Sequence, residues 1–328
     1  MSSLCVNVHV APASRREALA RDVLVGLCAV RKSLPPVWFY DERGSVLFDQ
    51  ITRLPEYYQS RTERSILAAH AADIAAAKCD TLVELGSGTS EKTTLLLDAM
   101  TSTGDLQRFV PFDVSEEILR QSSTAISEAY GIDVVAVVGD FHHHLDEIPT
   151  DGRRLVAFLG GTLGNLEPTA RHELLTDLEA SMDRDDRLLL GVELVKDPAR
   201  LMAAYDDAAG ITAEFNRNVL AVINAELDAD FDLSAFDHVA VWNEAHARIE
   251  MRLRSRTDQT VAVAALELQV HFRVGEEILT EISAKFTLAG IEAELWRGGF
   301  ELDEAWTDDD GDYLLALAHP YLRSRSSV

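Results

Sequence analysis

Residues from about 62 to 196 alternate between two kinds of hydrophobic pattern. Short runs that are almost wholly apolar are separated by longer segments in which apolar residues recur every three or four positions. The apolar runs are TLVEL, RFVPFDV, DVVAVVGDF, RLVAFLG and RLLLGVELV, and the helical segments include ERSILAAHAADIAAA and RHELLTDLEASM. Buried strands that alternate with amphipathic helices are typical of βαβ units. This region is therefore predicted to form a parallel sheet covered by helices on both faces.

The pattern changes on both sides of this region. Residues 1–60 are helical in pattern up to Pro35-Pro36 and then rich in aromatic residues, whereas residues 197–285 pass from a helical stretch to the β-rich runs ARIEMRLRSR and TVAVAALELQVHF. A helix and the segment GFELDEAWTDDDGDYLLALAH follow, and the acidic turn between two apolar runs predicts an antiparallel hairpin. We predict one domain from residues 61–196 and 286–328, and a second, inserted α+β domain for substrate recognition from residues 1–60 and 197–285. A parallel α/β sheet finished by such a hairpin resembles the Rossmann-like fold of class I methyltransferases.

The net charge of the chain disfavours some classes of binding partner. Lys and Arg number 30 against 55 Asp and Glu, which gives a net charge of −25. Such a field repels phosphate backbones and anionic membrane surfaces, so neither nucleic acid nor a membrane is an expected partner. No apolar run is long enough to span a bilayer, and the first residues lack the pattern of a signal peptide. By elimination we expect a cytoplasmic protein. A monomer is also expected, although no residue pattern indicates the oligomeric state.

Metal chemistry is not expected either. Cys5, Cys28 and Cys79 are scattered without the CxxC spacing of a zinc site or the pattern of a disulfide framework. Three consecutive histidines, 142 to 144, cannot all face one ion on a helix or a strand, and a solvated surface run is the simpler interpretation.

A glycine-containing turn follows the first apolar run, in the stretch Val83-Glu-Leu-Gly-Ser-Gly88. Glycines in the first βα turn of an open α/β sheet let a ligand approach the backbone closely. A dinucleotide site requires a third glycine near the pyrophosphate, but Glu91 stands at that position and its carboxylate would repel the phosphates. The pattern instead resembles motif I of S-adenosylmethionine-dependent methyltransferases, whose ligand has no phosphate; a purely structural turn is the alternative.

The next two apolar runs end in residues that suit an adenosyl ligand. Asp113 ends the second run, where a carboxylate can accept hydrogen bonds from both ribose hydroxyls. Asp140 and Phe141 end the third, where a carboxylate can accept from the adenine amine and a ring can stack on the base. Lys92, expected in the first turn of the helix after the glycines, can reach a ligand carboxylate or remain solvated.

The fourth apolar run leads into Phe158-Leu-Gly-Gly-Thr-Leu-Gly-Asn-Leu166, at the position where a methyltransferase binds its acceptor. Asn165 offers both a donor and an acceptor, and the glycine-rich backbone exposes carbonyls that can hold an amine. A tight turn that needs positive φ explains the glycines but leaves Thr162 and Asn165 unexplained.

These motifs, together with KSLPPVWFYDERGSVLFDQITRLPEYYQSRTE and AYDDAAGITAEFNRNVL, closely resemble the histidine-specific N-α-methyltransferases of ergothioneine biosynthesis. The resemblance runs from about Lys32 to the C-terminal hairpin, and the first 30 residues match weakly. It implies conversion of L-histidine into its betaine, hercynine, with three molecules of S-adenosylmethionine. It also implies site residues: Tyr40, Gly86, Lys92, Asp113, Asp140 and Phe141 for the cofactor; Tyr57, Asn165 and Tyr205 for the histidine carboxylate; the Gly160 carbonyl for the α-amine; and Glu281 with Ser283 for the imidazole.

The segment Leu279-Thr-Glu-Ile-Ser-Ala-Lys-Phe286 supports the last of these roles independently. In a regular strand Leu279, Glu281, Ser283 and Lys285 share one face. A neutral imidazole has one N–H donor and one bare nitrogen, so a carboxylate and a hydroxyl satisfy both. The alternative is a solvent-facing polar strip on an edge strand.

Trp38, Phe39 and Tyr58 are expected to pack the N-terminal segment onto the sheet, whereas Tyr40 and Tyr57 are expected to contact the substrate. Each methyl transfer removes an N–H donor from the amine, so the later intermediates need aromatic faces that bind a cation. We expect direct, in-line displacement by the neutral α-amine at Tyr40 and Gly160, accelerated mainly by positioning, with no strong general base. Proton loss through Tyr40 and a water, or to solvent, both remain open. The competing functions are methylation of another amine, a non-catalytic S-adenosylmethionine sensor and, more distantly, an NAD-dependent oxidoreductase.

Overall fold

The computed structural model describes residues 3–9, 12–141 and 143–321. Its helices are α1 (Pro12–Cys28), α2 (Glu42–Thr52), α3 (Gln59–Ala75), α4 (Thr94–Thr103), α5 (Glu116–Tyr130), α6 (Pro168–Ser181), α7 (Pro198–Tyr205), α8 (Ile211–Leu227) and α9 (Leu288–Arg297). Its strands are β1 (Leu4–Val8), β2 (Lys32–Ser33), β3 (Thr81–Leu85), β4 (Arg108–Asp113), β5 (Asp133–Val138), β6 (Arg154–Phe158), β7 (Arg187–Glu193), β8 (Phe236–Asn243), β9 (Arg248–Ser255), β10 (Gln259–Val263), β11 (Leu268–Phe272), β12 (Glu277–Ala284), β13 (Phe300–Thr307) and β14 (Tyr313–Pro320). Within those ranges, none of the helices combines the length and the apolar character needed to cross a membrane.

The chain forms two compact units. The first consists of Met1–Val10, Gln59–Val195 and Phe286–Val328, and the second consists of Ala11–Tyr58 and Lys196–Lys285. The insertion of the second unit into the first follows the change of hydrophobic pattern near residue 196.

The first unit contains an eight-stranded sheet in the order β1-β5-β4-β3-β6-β7-β14-β13. The five predicted apolar runs are β3 to β7, and they pair in parallel. β3 and β6 are buried at every position, as expected for central strands covered on both faces. β14 pairs antiparallel with both β7 and β13, so the predicted closing hairpin is confirmed. The fold is the predicted α/β, Rossmann-like plan of a class I methyltransferase.

The first strand differs from the prediction. Residues 1–60 were expected together in the second domain, but β1 pairs in parallel with β5, from Leu4 opposite Val134 to Val8 opposite Val138, and lies in the first unit. β1 is a five-residue edge strand with a single neighbour, so its sequence carries too short an alternation to identify it.

The second unit contains a four-stranded sheet in the order β2-β12-β9-β8 and a separate hairpin of β10 and β11. Helix α8 packs against β8 and β9, and α1 packs against α8 and β2. Their apolar residues form one core, which includes Val23, Val219, Ile223, Leu253 and Ile278. The run TVAVAALELQVHF, predicted to be β-rich, is a hairpin whose two strands flank a short 3-10 turn at Ala264–Leu266.

Candidate active site

The glycine turn after β3 is open to a ligand. Gly86 and Gly88 have φ values of 71° and 49°, in the left-handed region that favours glycine, and a Cβ on either would meet no atom within 4 Å. The turn is anchored because Gly86 N donates to Phe112 O at 2.8 Å. The hydroxyls of Ser87 and Ser90 are buried and have no hydrogen-bond partner within the described part of the chain. A bare backbone beside unsatisfied hydroxyls fits a polar ligand.

Asp113 lies at the carboxyl end of β4, beside the glycine turn. Its Oδ2 accepts from Gly88 N and its Oδ1 accepts from Ser115 N, both at 2.9 Å. Burial raises the pKa of Asp113, although these backbone donors oppose the shift. A third backbone donor, Val114 N, also bonds to this carboxyl. A carboxylate has about four acceptor sites, so the geometry leaves room for a ribose hydroxyl.

Asp140 and Phe141 directly follow β5 at the same edge of the sheet. The Phe141 ring meets the Phe158 ring edge to face, with centroids 5.5 Å apart. This contact fixes the plane of a partly exposed ring beside Asp140. The carboxyl ends of β3, β4, β5 and β6 thus bring together the predicted cofactor residues of the first unit.

Lys92 is held by a carboxylate that sequence reasoning missed. Glu63, on α3, is fully buried and forms an ion pair with Lys92 Nζ. Its Oε1 accepts from Gly160 N at 2.7 Å and from the Tyr313 hydroxyl at 2.9 Å. Gly191 is required beneath this carboxylate, since a Cβ there would lie 2.1 Å from Glu63 Oε1. The residues around Glu63 are far apart in the sequence, which is why no local pattern indicates the cluster.

The position of Lys92 also differs from the prediction. It lies in the turn between Ser90, which has a φ of 55°, and the start of α4 at Thr94, and not in the first helical turn. A Cβ placed on Gly160 would be 3.7 Å from Lys92 Nζ, so the glycine turn and the loop after β6 meet at this ammonium.

The loop after β6 has the backbone shape that its glycines predicted. Gly160 and Gly161 have φ values of 81° and 72° and lead into a 3-10 turn at Thr162–Asn165. The Thr162 hydroxyl donates to Leu159 O at 3.2 Å, so Thr162 stabilises the turn. Asn165 ends the turn and is partly exposed.

In the second unit the aromatic residues of the first 60 positions differ in burial. Trp38, Phe39 and Tyr58 are buried in the core. Tyr40 and Tyr57 are only partly buried, and both rings pack edge to face against Phe48, at 5.6 Å and 6.3 Å. Phe48 therefore orients the two tyrosines that are predicted to contact ligands.

Strand β12 contains a bulge that corrects one prediction. Its partners across β9 are Leu279–Arg252, Glu281–Met251 and Ser283–Ile249, with a register shift between Leu279 and Glu281. Residues directly opposite each other share a face of the sheet. Glu281 and Ser283 therefore lie on the core face, as predicted, but Leu279 lies on the other face with Arg252. The extra residue, Thr280, is buried and donates to Asn216 Oδ1 on α8 at 2.6 Å, which explains why the strand is not regular here.

The core face of β12 carries a buried polar cluster. The Tyr205 hydroxyl, at the end of α7, donates to Ser283 Oγ at 2.8 Å. Lys285 Nζ donates to Ser283 Oγ at 2.7 Å and to the Tyr205 hydroxyl at 3.0 Å. Burial raises the pKa of Glu281 to about 7, although the nearby Lys285 ammonium opposes the shift. The structure thus joins two predicted site residues and adds Lys285, to which the sequence had assigned no role.

Glu84, within β3, is a second buried carboxyl near the glycine turn. Burial raises its pKa to about 8, although the Thr93 hydroxyl donates to it. At neutral pH the group is therefore largely protonated and adds little negative charge.

The structure describes two of the three consecutive histidines, His143 and His144. Residue 142 lies outside the described residues. The rings of His143 and His144 are nearly perpendicular, with centroids 6.3 Å apart. Among the side chains that the structure describes, neither belongs to a cluster with metal-ligand spacing.

Comparison with known proteins decides the family. The model of the SAM-dependent histidine-specific methyltransferases matches residues 19–320. The chain belongs to this family. A histidine N-alpha-methyltransferase of Mycolicibacterium smegmatis is 59% identical over 96% of this chain and 99% of the relative, and one of Mycobacterium tuberculosis is 57% identical over 94% and 97%. Ergothioneine biosynthesis protein 1 of Schizosaccharomyces pombe is 28% identical over 86% of this chain and 38% of that protein. As a member of the family, the chain is an enzyme whose methyl donor is S-adenosylmethionine.

Proposed function

We propose that this methyltransferase transfers three methyl groups to the α-amine of L-histidine, giving hercynine, in the first step of ergothioneine biosynthesis. The observation that carries the proposal is the family match over residues 19–320, in a chain whose second unit buries Glu281 and Ser283 on one face. The names of the relatives in Mycolicibacterium smegmatis and Schizosaccharomyces pombe agree with the substrate and the pathway.

The proposed cofactor residues are Tyr40 and the residues at the sheet edge. Asp113 binds the ribose hydroxyls, Asp140 and Phe141 bind the adenine, and Lys92 binds the carboxylate, while Gly86 lets the ligand approach the backbone. S-adenosylmethionine supplies, when bound, a methyl group on a sulfonium that a neutral amine can take directly. The open glycine turn and the unsatisfied hydroxyls of Ser87 and Ser90 support this use of the edge.

The proposed substrate residues bind both the amino-acid end and the imidazole end of histidine. Its carboxylate is bound by Tyr57, Asn165 and Tyr205, and its α-amine by the carbonyl of Gly160. Its imidazole is bound by Glu281 and Ser283. A site that buries these partners rejects side chains that cannot pair with them, because an unsatisfied buried carboxyl is costly.

Positioning is the main contribution of the chain's own residues. Glu63 accepts from Gly160 N and so fixes the backbone of the loop that is proposed to hold the amine. Holding two reactants in an attack geometry can lower a barrier by roughly 7 to 11 kcal/mol. Tyr40 and Tyr57, oriented by Phe48, offer ring faces to the methylammonium intermediates. The catalytic roles proposed for Tyr40 and Gly160 are therefore binding roles, without a strong general base.

The test is an amino-acid panel. The full-length protein is incubated with S-adenosylmethionine and each amino acid in turn, and the masses of the products are measured by mass spectrometry. Histidine alone should gain three methyl groups. Methylation of a different amine with histidine unchanged would contradict the substrate, and binding of S-adenosylmethionine without any product would indicate a sensor. The monomeric state and the cytoplasmic location stay predictions.

A further inference from the structure

Helix α8 contains two fully buried asparagines, Asn216 and Asn218, each 0% exposed. Their apolar neighbours Val219 and Ile223 belong to the core of the second unit. A buried amide without hydrogen-bond partners is costly, so each asparagine has to be matched by polar groups of the surrounding chain. Residues two positions apart in a helix do not face the same side. The two amides therefore reach different segments of the unit.

Asn218 binds the segment that contains Tyr40. Its Nδ2 donates to Phe39 O at 3.2 Å and to Asp41 Oδ1 at 2.7 Å. A carbonyl oxygen only accepts hydrogen bonds, so the bond to Phe39 O fixes the orientation of the amide. The same Asp41 oxygen accepts from Gly44 N at 2.7 Å at the start of α2. The residues on both sides of Tyr40 in the chain are thus bound to α8.

Asn216 binds the opposite side of the same core, at strand β12. Its Oδ1 accepts from the hydroxyl of Thr280 at 2.6 Å, and Thr280 is the bulge residue directly before Glu281. Its Nδ2 donates to Arg252 O at 3.2 Å and lies 2.8 Å from Nδ1 of His238 on β8. The Arg252 carbonyl fixes the orientation of this amide in the same way.

His238 extends this network to the end of α7. Its Nε2 lies 2.8 Å from Tyr205 O, a main-chain carbonyl that can only accept. The hydrogen of the neutral ring is therefore on Nε2, and the bare Nδ1 accepts from Asn216. Burial lowers the pKa of His238, which favours this neutral form. Asn216 thus connects the bulge before Glu281 to the backbone of Tyr205, without involving the Tyr205 hydroxyl.

We infer that Asn216 and Asn218 are positioning residues for the two different ligands of the enzyme. Asn216 holds Glu281 and the end of α7 in place for histidine, and Asn218 holds Tyr40 in place for S-adenosylmethionine. Each acts through the backbone of another segment and not by contact with a ligand. Because one helix carries both amides, α8 fixes the separation of Tyr40 and Glu281. The inference rests on the roles proposed for these two residues.

The test is isothermal titration of the full-length protein with S-adenosylhomocysteine, and with histidine at saturating S-adenosylhomocysteine. Asn216→Ala should weaken histidine binding about tenfold, the loss expected for one well-placed hydrogen bond, and should change cofactor binding by less than about twofold. Asn218→Ala should show the reverse pattern. A purely structural role would not produce this crossed result, since general loosening of the core affects both ligands.

Asn224→Ala is the matched control on the same helix. The amide of Asn224 bonds to both Phe231 O and Phe231 N, at 2.8 Å and 2.9 Å, and so holds a segment to which no ligand role is assigned. This variant should lower the melting temperature and leave both affinities unchanged. Equal weakening of both ligands by Asn216→Ala or Asn218→Ala, or no change in either, would overturn the inference.

Two further variants keep the inference testable if an alanine variant does not fold. Thr280→Val keeps the side-chain shape but removes the bond to Asn216, and Asn218→Asp keeps the shape but turns an oxygen towards two acceptors. Each should reproduce the pattern of its alanine counterpart. Glu281→Ala and Tyr40→Ala test the proposed function separately. If these two weaken their own ligands while the asparagine variants do not, only the inference fails; if they change neither ligand, the proposed site itself is wrong.

Discussion

The two units carry their polar chemistry in different places. In the first unit, Asp113 ends a parallel strand, and Asp140 and the glycine turn directly follow parallel strands, so each can be located from the end of an apolar run. In the second unit, Glu281 and Ser283 lie within a strand and Tyr205 lies at the end of a helix, all of them buried. Strand ends allow side chains to vary without disturbing a core, whereas a polar group inside a sheet needs partners of its own. The predictions below test this difference.

The largest effect is expected where the first unit does bury a charge. Glu63→Ala removes the acceptor for Lys92, Gly160 N and the Tyr313 hydroxyl, and loss of one partner from a buried pair typically costs about 3 to 5 kcal/mol. The melting temperature should therefore fall by several degrees, as measured by calorimetry. Asp49→Ala, which breaks the exposed pair with Arg53, is the control and should change stability by less than about 1 kcal/mol. Equal effects would show that the Glu63 cluster is not buried in solution.

The next effect concerns pH and the second unit. Burial raises the pKa of Glu281 from its ordinary 4.5 to about 7, so its contribution to stability is full below pH 4.5 and is lost as pH rises through 7. The loss is up to about 3 kcal/mol, at about 1.4 kcal/mol for each pKa unit. Glu281→Gln cannot ionise, so its melting temperature relative to the unmodified chain should be higher at pH 8 than at pH 5. A constant difference between the two pH values would contradict the raised pKa.

Asp113 and Glu281 should each affect the binding of a different ligand. Asp113→Ala should weaken S-adenosylhomocysteine binding, and Glu281→Ala should weaken histidine binding, each by about 1 to 3 kcal/mol for a lost buried partner. Isothermal titration with both ligands measures the two losses. Glu117→Ala, on the exposed surface of α5, is the control for both. If Glu281→Ala reduced cofactor affinity and spared histidine, the assignment of roles to the units would be wrong.

The smallest effect tests the bulge. Leu279→Thr lies on the face opposite Glu281, so histidine affinity should change by no more than about 0.5 kcal/mol. Under regular alternation Leu279 would lie beside Glu281, and the same substitution would alter the pocket. A tenfold loss of affinity would therefore indicate an unbulged strand.

The sequence predicts the first unit better than the second for physical reasons. Apolar runs such as TLVEL identify central parallel strands because both faces are buried. β8, with His238, Trp242 and Asn243, mixes polar and apolar residues on a single-sided sheet and was not predicted. The family resemblance supplied the candidate residues of the second unit. Strict alternation, however, placed Leu279 on the wrong face, because no local sequence pattern indicates a bulge.

Contacts between distant segments account for what was missed in the site. Glu63 contacts Lys92, Gly160 and Tyr313, and Tyr313 is 250 positions away in the sequence. The helical pattern of α3 predicts only which side of the helix Glu63 is on, and not these partners. Alternation placed Lys285 on the same face as Ser283, but its hydrogen bond to the Tyr205 hydroxyl joins residues 80 positions apart. Such clusters require the fold before they can be recognised.

The bulge at Thr280 also limits how the pocket can change over evolution. Ile278 is fully buried opposite Leu253, and Glu281 lies opposite Met251, so the extra residue is what lets both point inward. Deleting it would slide the earlier part of the strand by one position and turn Ile278 out to solvent. Individual side chains of β12 can therefore be exchanged while Ile278 stays in the core, whereas an insertion or deletion there would move Ile278 out of the core.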